Sequence, residues 1–319
     1  MRSLIRRFRR PVSIGIAALA VSLTAWPVAA ADPGPTCGLT NAELSAMRSA
    51  NVVMIGEVHD NPGHHKHQAC LIALLSKDAK PALVWEHITP DQSEALQAFL
   101  KQDQRTPAGL SEALGWDKTG WPSWSMFTPI ADIALRRSLP MYAGNVTRGD
   151  IRAVARKGVG ALAEDRRQNL GLATGLPEAL QNDLLKELVA SHCDLIPASA
   201  FGTMADAQRF RDAQLATVLA KARATHGAAI LIAGNGHVRH DRGVPWHLKR
   251  LDRGVRIFTV SMAETGRGGS GVPTDAVLTA AAPEREDPCV AMRARFEKHR
   301  AKKKRSETPN KEPDSRAEQ

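Results

Sequence analysis

The chain has 319 residues, 43% of them hydrophobic, with 43 Lys and Arg against 33 Asp and Glu, which is length enough for one large domain or two small ones. The formal charge of +10 suggests a nucleic-acid binder, but residues 1–31 hold five bases and no acid, and residues 293–319 hold ten bases and five acids. Residues 32–292 keep 28 of each sign; a nucleic-acid footprint sits on a basic folded face, nothing here requires one, and no nucleic-acid partner is expected.

Taken in order, the chain opens with Arg2, Arg6, Arg7, Arg9 and Arg10, followed by the apolar run SIGIAALAVSLTAW and by Ala29-Ala30-Ala31. That is the layout of a cleaved secretory signal over residues 1–31, and the run is short of the ~20 residues a membrane span needs. The mature protein is expected in the periplasm or secreted. The residues GPT before Cys37 lack the aliphatic and small residues that precede a lipidated cysteine, so no lipid anchor is expected there. An oxidising compartment suits the four cysteines Cys37, Cys70, Cys193 and Cys289 as disulfides. Three pairings are open; Cys37 with Cys289 would tie the ends of the body, and Cys70 with Cys193 would brace its middle. No CxxC spacing points to thiolate zinc.

NVVMIG (51–56) is a short β-rich apolar run ending at glycine, a buried strand. Asp60 or Asn61 caps a helix that has Pro62 in its first turn and runs to about residue 77. PALVWEH (81–87) is a second strand, and Thr89 or Asp91 caps the next helix, to about residue 102. SMFTPIADIALRRS is helical despite Pro129, and LPMYAGN (139–145) is a third strand. A helical middle follows, from Arg148 to about Ser191 and from Met204 to about Arg223. AAILIAG (228–234) is a fourth strand opening on Asn235-Gly236-His237, Gly243-Val244-Pro245 starts a short helix, and VRIFTVSM (255–262) is a fifth strand. Apolar strands alternating with helices imply an α/β fold: a mainly parallel sheet with helices on both faces and an inserted helical subdomain over about residues 150–225. The body is taken as 32–292. Residues 293–319, polar and charged, read as a disordered tail.

The polar residues fall at one end of these strands. Glu57 and His59 follow the first, Glu86 and His87 end the second, Asn145 ends the third and His237 follows the fourth. Ligands of open α/β sheets bind in the crevice beyond the carboxyl ends of the strands, so these side chains are expected to face one another. Two carboxylates and two imidazoles, Glu57, His59, Glu86 and His237, are a donor set for Fe, Mn or Zn. An open position on such a metal would acidify a bound water toward a pKa of about 7; without metal, a histidine oriented by a carboxylate can activate water. His64, His65 and His67 are either ligands or solvated helix-start histidines; His64 and His67 lie one turn apart. Arg148 or Arg239 can hold a carboxylate bidentately. His87 and His192 read as structural, Asn145 and Asp241 as turn-fixing. Trp116, Trp121 and Trp124 either roof a flat ligand or pack a loop.

The blocks GEVHDNPGHHKHQ, WEH, PMYAGNVTR, HCDLIP, Q-x-x-RDAQLA (208–216) and IAGNGHVRHDRGVPWHL, in this order over roughly residues 45–262, resemble the ChaN-type haem-binding family, in the superfamily with the erythromycin esterases and Tiki-type proteases. The resemblance implies an α/β fold with a helical insertion, export to the cell envelope and a role in haem or iron uptake or storage. By implication its partners are haem, an outer-membrane haem or iron transporter and a second copy of the chain. Matched residue by residue, it assigns hydrolytic chemistry in the wider superfamily to Glu57, His59, Glu86 and His237. The family's tyrosine ligand has no match here: Tyr142, the one tyrosine, falls inside the third strand, where it is expected to be buried. Haem-iron ligation then passes to the histidines His59, His64, His65 and His67, with His237, Arg148 and Arg239 as further haem contacts. The competing reading is a hydrolase, metal-dependent or metal-free, on the same four residues.

Overall fold

The computed structural model describes residues 36–267, 271–287, 289–290, 292–294 and 296–298. The expected signal segment lies outside the described residues, as does the expected tail from residue 299 onward.

Among the described residues six strands form one parallel sheet: β1 (Val52–Ile55), β2 (Ala82–Trp85), β3 (Met141–Ala143), β4 (Ala229–Ile232), β5 (Ile257–Thr265) and β6 (Ala276–Ala281), in the order β3-β2-β4-β1-β5-β6. The first five lie within the stretches expected from the sequence or extend them. β6 was not anticipated: AVLTAA is rich in alanine, which is depleted in strands. Helix α1 (Asn41–Ser49), α2 (Pro62–Leu75), α3 (Ser93–Leu100), α4 (Pro107–Leu114) and α5 (Trp124–Arg136) precede β3 in sequence. Helices α6 (Arg148–Lys157), α7 (Glu164–Asn169), α8 (Glu178–Ser191) and α9 (Ala198–His226) make the inserted helical region between β3 and β4, and α10 (Val244–Leu251) follows β4.

β1, β2 and β4 are buried at every residue, as parallel strands covered on both faces must be. Their side chains alternate between two cores. Val53, Ile55, Leu83 and Trp85 pack with α2 and α5 through Leu71, Ile72, Phe127 and Ile130. Val52, Met54, Ala82 and Val84 pack with α9 and α10 through Leu215, Leu219 and Leu248. Each valine, leucine, isoleucine, methionine or phenylalanine among them, fully buried, contributes about 1.5–3 kcal/mol.

The chain passes from β1 to β2 and leaves a gap that β4 later fills, so β1, β4 and β2 end side by side. Ile55, Ile232 and Trp85 are level in register across them, and the loops that follow share one rim.

Cys37 pairs with Cys70 and Cys193 with Cys289, which replaces the pairing of the chain ends considered from the sequence. The first disulfide fastens α2 to the segment before α1; the second fastens the loop after α8 to the C-terminal segment.

Candidate functional site

The rim inherits the pleat of the sheet. Glu57 lies two residues beyond Ile55 and His87 two beyond Trp85, so both continue on the α2–α5 side; Glu86, two beyond Val84, continues on the α9 side. Successive residues of a strand point to opposite faces, and Glu86-His87 therefore delivers its two side chains to two different clusters.

On the first side Glu57 is the hub. Its Oε1 accepts from His59 Nδ1 at 2.6 Å and from His87 Nε2 at 2.8 Å. Oε2 lies 3.2 Å from His65 Nε2, but off the angle of a hydrogen bond, so both atoms are buried without a hydrogen-bond partner. Burial pushes the Glu57 carboxyl upward, yet His87, with the hydrogen bonds from His59 and His87, holds it well below the usual carboxylate range. His87, taken from the sequence as structural, is thus a member of the site. Trp121, Phe127 and Trp116 surround its ring, the nearer two with centroids at 4.7 Å, and Trp121 Nε1 donates to its carbonyl at 2.9 Å. The tryptophans pack this wall of the site, and Trp121 also meets the His59 ring edge-on at 4.8 Å.

On the second side, Glu86 Oε2 accepts the Gly234 N–H at 2.8 Å, and Oε1 lies 3.2 Å from His237 Nε2. His237 Nδ1 in turn donates to Asp212 Oδ1 at 2.6 Å. An imidazole between two buried carboxylates keeps both protons. Burial opposes its charge, but Glu86 and Asp212 outweigh this and push His237 up to about 10. Burial and the Glu86 charge push Asp212 up to about 6 against the pull of His237. Glu86 itself is lowered despite burial, by His237 and then by His59. Asp212 was not singled out from the sequence. The signal available was an acid on the buried stripe of α9 that runs through Ala205, Asp212, Ala216 and Leu219.

His59 joins the two sides. Its ring is bonded to Glu57, and although burial lowers its pKa, that bond and the charge of Glu86 raise it above the ordinary value. A Cβ at Gly234 would stand 3.0 Å from His59 Cε1 and Nε2, so glycine is what lets the ring lie against the β4 loop. Gly234→Ala is expected to displace the ring and cost about 1–3 kcal/mol by overpacking in urea unfolding. Gly236→Ala, whose nearest side-chain atom is 3.7 Å away, should be close to neutral. Equal costs at both positions would contradict the close approach.

The remaining candidates have other partners. His64 Nδ1 accepts the Val58 N–H at 2.9 Å and Nε2 faces the Ala263 carbonyl at 3.2 Å, which fixes the β1–α2 loop; burial lowers its pKa. His67 lies between the carbonyls of Cys37 and Thr279, at 3.0 and 3.2 Å, so the expected pair of His64 and His67 does not converge on the rim. Asn61 rather than Asp60 caps α2, its Oδ1 accepting the N–H groups of Gly63 and His64. Asn145 fixes a turn, as expected, donating to the Glu86 carbonyl at 2.8 Å. Arg148 donates to the carbonyls of Lys118 and Thr119. Arg239 is engaged by Asp241 and Glu187, both at 2.6 Å, and by Asp183 at 3.3 Å, so its guanidinium binds α8 to the loop after β4 and does not face the histidines. Tyr142 is half-buried, and its hydroxyl is 2.8 Å from His226 Nε2 at the end of α9, a partner outside the rim.

Glu57, His59 and His87 each offer a ligand atom, and these atoms lie within 4.8 Å of one another. The rim thus combines an oxygen and two nitrogens with an adjoining carboxylate–imidazolium–carboxylate chain, able to hold a cation and to keep a proton at a fixed atom.

Residues 44–248 match the family described as haem-binding uptake, Tiki superfamily, ChaN. Among solved structures, one describing cofacial heme binding to ChaN of Campylobacter jejuni is 20% identical, with a TM-score of 0.58, over 71% of this chain and 86% of that chain. The type III effector HopBA1 is 15% identical, with a TM-score of 0.43, over 81% of this chain and 98% of that one. A mutant of the erythromycin esterase EreC in its open conformation is 13% identical, with a TM-score of 0.38, over 72% and 76%. At 20% identity the likeness to the first of these is one of fold. No curated protein matches the chain.

Proposed function

The chain belongs to the haem-binding uptake (ChaN) family of the Tiki superfamily, and from that premise we propose that it binds haem at the rim of the sheet, with His59 Nε2 as the iron ligand. The observation that carries this is the contrast in exposure among the clustered histidines. The His59 side chain is 35% exposed, whereas those of His65 and His87 are fully buried. Its Nδ1–H is held by Glu57, which leaves the Nε2 lone pair for a metal. A ligating histidine oriented by a carboxylate on its other nitrogen is the arrangement that makes imidazole a good ligand. Trp121 beside it offers a flat face to a macrocycle. Bound there, haem would supply the ligand-exchange and redox chemistry of its iron.

Hemin titration of the purified protein should give a shifted Soret band. His59→Ala, which removes the ligand itself, should weaken binding by at least the roughly 10- to 100-fold that losing a ligand-orienting partner costs, and His67→Ala should leave it unchanged. Equal binding by both variants would remove His59 from this role.

The arginine-rich opening and its apolar run support export, so the reading puts the protein in the periplasm or outside the cell, handling haem for uptake or storage. An outer-membrane haem or iron transporter would be its partner there, and a two-fold homodimer would enclose the haem between copies.

The three converging ligand atoms of Glu57, His59 and His87 favour a second reading, a hydrolase that holds Fe, Mn or Zn. The mixed oxygen and nitrogen donors fit such an ion, and His237, between Glu86 and Asp212, would hold a proton beside it. This reading takes over if hemin keeps the spectrum of free hemin while Mn or Zn raises the melting temperature, as a bound ligand does by mass action.

A further inference from the structure

A cavity of about 390 Å3 opens beside the rim, between the loops after β2 and β3 and the first turn of α6, with His87 and Trp121 on one wall. That volume suits a small molecule. Its lining is divided in character. Leu114, Trp121, Val146 and Ile151 form an apolar part, while Lys118, Arg148 and Arg211 bring three cations against the single acid Asp91.

Among the described residues none of these cations is in an ion pair with a carboxylate, although the charge of Arg211 reaches Asp212. Among the described residues the side chains of Lys118 and Arg211 form no ion pair or hydrogen bond, and Arg211 Nε is buried without a partner. Arg148 donates only to the carbonyls of Lys118 and Thr119, which pins the turn carrying Lys118 and leaves its own charge uncompensated. Asp212, next to Arg211 in sequence, is turned into the sheet and bonded to His237. One residue is about 100° around a helix, so Arg211 comes out on the cavity side. Lys118 and Arg148 are exposed and Arg211 is half-buried, and together they present positive charge to an anion entering the cavity. A guanidinium meets an oxyanion through paired N–H donors.

We propose that this cavity binds a ligand carrying an oxyanion, carboxylate or phosphate, on an apolar body, with the anion at Arg211 and Lys118 and the body against Trp121 and Ile151. The cavity shares its Trp121 and His87 wall with the rim, but the proposal does not rest on the haem reading and requires no iron.

Calorimetric titration with 4-phenylbutyrate, 4-phenylbutyl phosphate and 4-phenylbutan-1-ol tests it, since the three share a body and differ in the head group. At least one acid should bind about tenfold or more tightly than the alcohol, the scale of one charge-assisted contact. The Lys118→Gln/Arg211→Gln double variant should lose that preference. Lys118→Gln alone, at an exposed position, should lose part of it, which keeps the test open if the double variant folds poorly. Preference for the phosphate marks a phosphoester ligand and preference for the carboxylate an organic acid; either upholds the site. The proposal is overturned if neither acid binds, if the alcohol binds as well as the acids, or if Lys118→Gln leaves the preference intact.

Discussion

Glu57→Gln is expected to destabilise the protein by about 3–5 kcal/mol, the cost of removing one partner from a buried ionic cluster, and to weaken hemin binding by roughly 10- to 100-fold, as the loss of a ligand-orienting carboxylate does. Glu57 is buried and accepts two hydrogen bonds on one oxygen while a third imidazole faces the other. Glutamine keeps the shape and one acceptor, but it removes the charge that the three rings surround. It also places an NH2 group where either His59 and His87 or His65 must face it. Urea unfolding and hemin titration of the variant measure the two effects. A stability within about 1 kcal/mol of the wild type, the size of an ordinary substitution, would show that the imidazoles do not depend on this carboxylate.

The second large effect is a loss of stability on the alkaline side. His237 titrates at about 10 in the folded protein, above the ordinary histidine value of 6.5. Between those values the folded chain binds a proton that the unfolded chain has released. The contribution is therefore complete below pH 6.5 and is lost as the pH rises through about 10. At 1.36 kcal/mol per unit it amounts to roughly 5 kcal/mol at most. Asp212 acts in the same direction at lower pH: its folded value of about 6 lies above the ordinary 3.8, so stability also falls as the pH rises between these values. Glu57 and Glu86 have the opposite sign, since their lowered values withdraw stability on acidification below about 4.5. Melting temperature should decline steadily from pH 6.5 to 10, and His237→Gln, less stable at pH 7, should flatten that limb. A wild-type melting temperature unchanged up to pH 10 would contradict the ion chain.

The parallel sheet was readable because a buried strand is a local pattern: NVVMIG, PALVWEH and AAILIAG are apolar runs closed by a residue with a structural duty. Gly56 has such a duty, since a Cβ there would meet Asn235 Oδ1 at 2.4 Å. The common rim of Glu57, Glu86 and His237 followed from strand direction alone. The partition of the rim into two clusters did not, because it depends on pleat parity at the strand ends. His87 was for that reason set aside, although it directly follows a chosen residue. Asp212 lies 25 residues before its partner, and nothing local tells a helical aspartate which loop its helix will cross. Arg239 reads as a haem contact from the sequence because its acids on α8 precede it by more than fifty residues and Asp241, two residues on, reads as fixing a turn. The short α1 and α4 and the edge strand β6 also went unread, the last because alanine carries no strand signature.

The two cross-links have a consequence for how the protein must be made. Cys193–Cys289 closes a loop of 96 residues, and a cross-link of that span restricts the unfolded chain by about 4–5 kcal/mol on the entropic account. A chain matured in a reducing cytosol would lack it, together with Cys37–Cys70. Material prepared there is expected to unfold at lower urea concentration than material folded with an oxidant, and dithiothreitol should erase the difference. Any assay of hemin affinity on thiol-reduced protein would then report on a looser molecule than the one whose rim is described above.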